Sequence, residues 1–190
     1  MMRSCISLAV VSIAAPVFAQ VTLNASINVD NVFTAYISTS PTLDGTSFLS
    51  GNSWPTTESG NFVFPAAGTY YLHVLATDQG PPAMFIGTFS LSNANGSTFS
   101  NGTTSLLTNA TDWVVSNVGF GVSTTAPLDI AGNGGGAWGN LAGQSAAARF
   151  LWAPDYTSTV YFTTVINVVP APASAVALGM AGLAMTRRRR

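Results

Sequence analysis

The sequence predicts an all-β protein, an antiparallel β-sandwich of the jelly-roll type, with a separate segment at each end of the chain. Apolar and polar residues alternate in short runs, a pattern typical of half-buried strands. Clusters of glycine, proline, asparagine and serine separate the runs and indicate turns. No stretch between the two ends keeps an apolar period of 3.6 residues, so the pattern favours two packed sheets over helices.

The alternation predicts at least eight strands. The alternation is clearest in residues 21–29, where apolar and polar residues alternate without exception. It is also clear in residues 69–77, where every second side chain is apolar. Residues 39–61 are rich in Ser, Thr, Gly and Pro and are predicted to be one long loop. The predicted strands are 21–29, 32–38, 61–64, 69–77, 83–91, 112–116, 147–152 and 159–168.

Residues 1–19 have the three parts of a secretory signal peptide. A short basic start is followed by an apolar stretch, and Val17 and Ala19 are the small residues of a signal-peptidase site. Cleavage after Ala19 leaves Gln20 as the first residue of the mature chain. Cys5, the one cysteine, is then lost, so the exported chain is expected to have neither disulfides nor thiol chemistry. An exported domain without disulfides favours a bacterial envelope protein.

Residues 170–190 are predicted to be a sorting tail. Residues 173–185 are almost wholly apolar and predict a short helix, although a bilayer core takes about 20 such residues, so we expect a transient anchor in the inner membrane. The basic cluster would stay cytoplasmic and place the domain outside. A helix that packs on the domain is the alternative. The residues of the motif are Pro170, Ala171, Pro172, Arg187, Arg188, Arg189 and Arg190.

This order of proline motif, apolar run and terminal arginines resembles the PEP-CTERM class of bacterial surface proteins. The resemblance covers only the tail, and Ala171 stands where that family has a glutamate. It implies processing by an exosortase-type sorting enzyme, and a final location at the cell surface or in the extracellular matrix of a Gram-negative-type bacterium.

Residues 20–169 form the predicted domain, and its charge limits the partners that it can bind. Arg149 is the only basic residue in this range, against six aspartates and one glutamate, and there is no lysine. Nucleic-acid binding needs a basic surface that displaces counterions. The composition therefore excludes a nucleic-acid partner and leaves neutral or weakly polar ones.

Three stretches of the domain are similar to the galactose-binding-like jelly rolls. They are residues 29–37 (VDNVFTAYI), residues 64–87 with the run GTYYLHVLATDQG, and residues 148–155 (ARFLWAPD). The resemblance implies the same sandwich fold. It also implies, as a second function, recognition of an extracellular polysaccharide by loops at one end of the sandwich.

The residue types argue against an enzyme. His73 is the only histidine, it lies within a predicted strand, and no Gly-x-Ser-x-Gly motif accompanies it. The chain has no Cys and His cluster for zinc or iron. Most of the carboxylates lie at turns, where aspartate commonly bonds the backbone. No catalytic residue is predicted.

Five residues remain as candidate ligands. Asp30, Asn31 and Asp78 lie at turns that the resemblance places near one end, and they offer the oxygens of a structural calcium site. Trp138, in a glycine-rich loop, is either a sugar-stacking residue or a ring that folds back over the core. Arg149 either contacts a ligand or pairs with an aspartate.

Two functions therefore remain open. The first is an exported structural or adhesive protein without catalysis, and the second is a carbohydrate-binding module. A concave, aromatic-lined pocket at one end of the sandwich, with convergent polar groups, would favour the second.

Overall fold

The computed structural model describes Gln20–Pro170, which form one compact unit. The predicted signal peptide, the apolar helix of residues 173–185 and the arginine cluster lie outside the described residues. All regular structure within the described range is β-strand. The strands are β1 (Thr22–Asp30), β2 (Val32–Ser38), β3 (Thr46–Gly51), β4 (Glu58–Val63), β5 (Gly68–Thr77), β6 (Met84–Ser92), β7 (Thr98–Phe99), β8 (Ser105–Leu107), β9 (Val114–Ser116), β10 (Leu128–Gly132), β11 (Arg149–Trp152) and β12 (Thr159–Val168).

The strands form two six-stranded antiparallel sheets that pack as a sandwich. Sheet A has the order β10-β11-β6-β1-β4, with β8 also paired to β6. Sheet B has the order β3-β2-β5-β12-β7, with β9 also paired to β12. The predicted all-β sandwich is confirmed, and strands β2 and β12 have the predicted bounds.

The prediction of one long loop over residues 39–61 is wrong. Strand β3 lies inside this range, and β4 begins in it and ends near the predicted short strand. Both are edge strands. Residues of β3 are mostly exposed, and β4 alternates only between half-buried and exposed residues, with Glu58 and Gly60 among the half-buried ones, so neither strand shows an apolar residue at every second position.

Large aromatic rings fill the space between the sheets. The ring of Phe85 from sheet A lies 4.7 Å from that of Phe162 in sheet B and 5.1 Å from that of Trp113. Trp152 packs against Phe162 on the other side. All four are fully buried, and each such ring removes roughly 150–250 Å² from water. These four rings therefore form the centre of the core between the two sheets.

The strand register defines two ends of the sandwich. At the near end, β1 begins and Val168 pairs with Gly68 at the close of β12. At the far end, Asp30 pairs with Met84, and Thr159 pairs with Thr77. Because β1 begins and β12 ends at the near end, the described chain enters and leaves the domain there, and the turns that hold Asp30 and Asp78 lie at the other end.

Candidate functional site

Trp138 folds back onto the sandwich. Its ring is buried, 7 % exposed, and it packs against Met84, Ile86 and Phe150 on the outer face of sheet A. Its indole Nε1–H donates to the Asp30 carboxylate at 2.9 Å. Of the two alternatives for Trp138, this geometry corresponds to a ring over the core, because a buried indole offers no flat face to a sugar.

Asp30, Asn31 and Asp78 come together at the far end. The Asn31 side-chain oxygen accepts the amide of Gln79 at 2.7 Å, and the Asp78 carboxylate accepts the amide of Gly80 at 2.9 Å. Burial raises the pKa of Asp30, the bond from Trp138 lowers it, and the nearby Asp78 carboxylate raises it further. These contacts tie the turn after β1 to the turn after β5.

The cluster fits a hydrogen-bonded turn better than a calcium site. Calcium takes six to eight oxygen ligands. Here the Asp30 carboxylate already accepts bonds from Asn31 and Trp138, and Asn31 and Asp78 accept backbone amides. Among the residues that the structure describes, no group of three or more His, Cys, Asp or Glu is placed to hold a metal ion.

Residues 133–148 form a flap that lies over the outer face of sheet A. Asn28, a fully buried residue of β1, is its main polar anchor. The Asn28 side-chain oxygen accepts Gln144 Nε2 at 2.8 Å and the Thr57 hydroxyl at 2.9 Å, and its Nδ2 donates to the carbonyl of Trp54. The flap is therefore held by the buried amide of Asn28 and the buried indole of Trp138, together with Thr88, whose hydroxyl donates to Gln144 and accepts the Ser145 amide.

Arg149 pairs with a carboxylate of its own domain. Its guanidinium lies 2.8 Å from the Asp129 carboxylate across β10 and β11. Both side chains are about 40 % exposed, and such pairs contribute about 0–1 kcal/mol. Arg149 is thus engaged with Asp129.

His73 is fully buried on the outer face of sheet B. Its Nε2–H donates to the carbonyl of Ser40 at 3.2 Å, which leaves Nδ1 to accept the Thr163 hydroxyl at 2.9 Å. Burial lowers the pKa of His73, and the Ser40 carbonyl and Asp44 oppose that shift. The ring has no carboxylate partner of the kind that a catalytic base uses.

A cavity of about 230 Å³ lies at the far end between the loops that follow β9 and β11. The Asn117 amide donates to the Asp155 carboxylate at 2.7 Å on its wall, and the Thr157 hydroxyl and Asn117 lower the pKa of Asp155. No aromatic side chain lines it, and it is smaller than the 300–1,000 Å³ of typical ligand sites.

Sequence reasoning grouped Asp30, Asn31 and Asp78 but missed the contact between Asp30 and Trp138, which are 108 residues apart. It also missed the anchoring role of Asn28. No local pattern marks either, since both depend on how the flap returns to the sheet.

Neither a family model, nor a curated protein, nor a solved structure matches this chain. Within Gln20–Pro170 there is no helix long and apolar enough to cross a membrane.

Proposed function

We propose that this protein is exported, sorted by an exosortase-type enzyme, and displayed at the cell surface or in the extracellular matrix, where it has a structural or adhesive role without catalysis. The described domain would be the displayed part. Residues 1–19 and the tail from Pro170 would serve as addresses that are processed during export.

The position of the chain ends carries this proposal. Strand β1 begins just after Gln20, and β12 ends just before Pro170, both at the near end of the sandwich. The hydrophobic core includes Val21, just before β1, and Val168, at the end of β12, and both side chains are buried. Removal of both terminal segments would therefore leave the packing of the domain unchanged, and the far end would point away from the attachment site.

The strand path supports the finer assignment to the jelly-roll type. From β4 to β10, successive strands alternate between sheet A and sheet B, as they do when a folded ribbon wraps around a core. A galactose-binding-like domain has the same kind of architecture. That this domain is related to that family is part of the proposal.

The far-end cavity bears on the choice between the two functions that the sequence left open. A carbohydrate module that uses its end loops needs an aromatic-lined pocket, whereas this cavity has no aromatic lining residue and Trp138 is buried elsewhere. These observations favour the structural or adhesive role.

The test follows the full chain in a Gram-negative host that has an exosortase, with an epitope tag at the exposed loop around Gly102. We expect a mature N-terminus at Gln20 and tagged protein at the surface. Changing all four arginines, Arg187 to Arg190, to serine removes an attraction to the cytoplasmic leaflet of about 1 kcal/mol per residue, so the domain should be mis-sorted.

The matched control changes the same four residues to lysine. It keeps the charge and should be sorted like the unaltered chain. Normal surface display of the serine variant would contradict the sorting role of the tail, and an intact Met1 in envelope fractions would contradict export by cleavage.

A further inference from the structure

Glycine follows asparagine at three positions of the chain, after Asn95, Asn101 and Asn133. Such a pair can react within itself, because the backbone nitrogen of the glycine can attack the side-chain amide carbon of the asparagine. Glycine has no side chain to hinder this approach, and it adopts backbone conformations that other residues avoid. The structure places the three pairs in different surroundings, and these surroundings separate one reactive asparagine from two protected ones.

Asn133, in the flap, is held most tightly. Its Oδ1 accepts the Leu141 amide at 2.8 Å, and its Nδ2 donates to three carbonyls of the flap at 3.3 to 3.4 Å. The Gly134 amide, which would be the nucleophile, donates to the Gly139 carbonyl at 2.9 Å. Both the amide that would be attacked and the nitrogen that would attack it are therefore engaged.

Asn101 is exposed, but its turn holds it in a similar way. Its Oδ1 accepts the Thr103 amide at 3.0 Å and the Thr103 hydroxyl at 3.1 Å, and its Nδ2 donates to the Ser105 carbonyl at 3.0 Å. The Gly102 amide donates to the Phe99 carbonyl at 3.0 Å. Reaction at Asn101 would require these four bonds to be given up.

Asn95 and Gly96 are exposed and far less constrained. The Asn95 Nδ2 donates to the Asn93 carbonyl at 2.9 Å, and within Gln20–Pro170 this is the one hydrogen bond of its side chain, while the Gly96 amide donates to no group. The pair forms the centre of a tight turn that the Ser97 amide closes on the Ala94 carbonyl at 2.7 Å. Both central residues have positive φ, 49° and 91°, which is the type I′ turn that favours Asn-Gly.

We propose that Asn95 is a site of spontaneous deamidation, through which the domain gains a negative charge with age. The Gly96 nitrogen loses its proton to solvent and bonds to the side-chain carbon of Asn95. The bond from that carbon to the side-chain nitrogen breaks, and the nitrogen leaves as ammonia after taking up a proton from water. Water then opens the resulting cyclic imide at either carbonyl and leaves aspartate or isoaspartate. Water is the only co-reactant, and nothing is oxidised or reduced.

The reactive turn lies at the near end, beside both ends of the domain. The Asn93 side chain donates to the Gln20 carbonyl at 3.4 Å, and the Ser97 hydroxyl accepts the Val169 amide at 2.9 Å. The domain already carries six aspartates and one glutamate against one arginine, so a new carboxylate adds to an existing excess of negative charge. The charge would appear where the chain enters and leaves the domain. The reaction requires the folded turn and does not depend on export or sorting.

The test incubates the purified full chain under native conditions and follows the three sites by peptide mapping with mass spectrometry. Asn95 should be converted at least about tenfold faster than Asn101 or Asn133. Each of these two must give up at least three more hydrogen bonds than Asn95, and a single such bond corresponds to a factor of roughly 2–10 in rate. The rate at Asn95 should rise with pH, because the attacking nitrogen must lose its proton.

The unfolded chain is the first control. In urea that unfolds the domain, the contacts that protect Asn101 and Asn133 are absent, so the three rates should converge. Asn95→Gly is the second control, because glycine is compatible with the positive φ of this turn position. This variant should lose the fast conversion, while the rates at Asn101 and Asn133 stay unchanged.

Three outcomes would overturn the proposal. Equal rates at the three sites of the folded chain would show that the contacts give no protection. The same order of rates in urea as in the folded chain would show that the flanking residues, and not the fold, determine reactivity. A fast conversion that persists in Asn95→Gly would place the reaction at another residue. The sorting experiment is independent of all these results.

Discussion

His73 is the only histidine of the chain, and its burial disfavours the protonated ring in the folded domain. Burial on sheet B lowers its pKa below the ordinary value near 6.5. The unfolded chain therefore takes up this proton at a higher pH than the folded domain does. The contribution of His73 to stability is complete above about pH 6.5 and decreases as the pH falls below it.

We therefore expect the free energy of unfolding of residues 20–170 to fall between pH 7.5 and 5.5, before most carboxylates titrate. Urea unfolding at the two pH values measures this, and His73→Gln, which cannot be protonated, should lose most of that difference. The single imidazole signal in NMR gives an independent check. A titration midpoint at or above 6.5 would contradict the prediction.

Single-residue chemistry was predictable from the sequence only where it is local. The turn roles of Asp30 and Asp78 follow from residue type, and each accepts a hydrogen bond from the residues beside it. The choice between a sugar-stacking and a core-packed Trp138 had no local signal, because its partners Asp30, Met84 and Phe150 are distant in sequence. Arg149 posed the same problem, and its partner Asp129 lies on the neighbouring strand.

At the level of strands, the sequence predicted those that bury one face. Strands β1, β5 and β12 alternate in sequence because one face of each packs in the core between the sheets, although Asn28, His73 and Thr163 are buried on the opposite face by other parts of the chain. Strand β3 is an edge strand with little burial, and β10 has a register shift between Asp129 and Ala131, so neither keeps a period of two. Strands β7 and β8 have two and three residues, too few to show any period.

The flap gives a prediction at the same level. Asn28→Ala removes the buried amide that bonds Gln144, Thr57 and the Trp54 carbonyl, so each of these half-buried partners loses one hydrogen bond and a small cavity replaces the amide. We expect a loss of about 1–3 kcal/mol in the free energy of unfolding. Hydrogen exchange should also show faster exchange of the amides in residues 133–148.

Asn24→Ala is the control, because Asn24 lies on the same face of the same strand but is exposed and bonds only Ser92. Its effect should stay within about 0.5 kcal/mol. Equal effects of the two substitutions would show that the flap does not depend on Asn28.

The whole domain is a sandwich whose first and last strands both run between the two ends. Strand β1 joins β4 to β6, and β12 joins β5 to β7 and β9, so each of these terminal strands is central in its sheet. The alternation of apolar and polar residues predicted the sandwich, and the predicted domain, residues 20–169, lies within the described range Gln20–Pro170. The central position of the terminal strands depends on pairing between distant residues, which alternation alone does not specify.

This arrangement makes the C-terminal limit of the domain sharp. A chain that ends at Pro170 keeps all of β12, including the bond from the Val169 amide to the Ser97 hydroxyl at 2.9 Å, and should unfold with the same free energy as the longer chain. A chain that ends at residue 164 loses Ile166 and Val168, each buried between the sheets and worth about 1.5–3 kcal/mol, together with their pairing to β5 and β7. Circular dichroism and urea unfolding should show a folded β-protein for the first and a largely unfolded chain for the second. If both chains are equally stable, the terminal strand does not complete the core in the way that its register indicates.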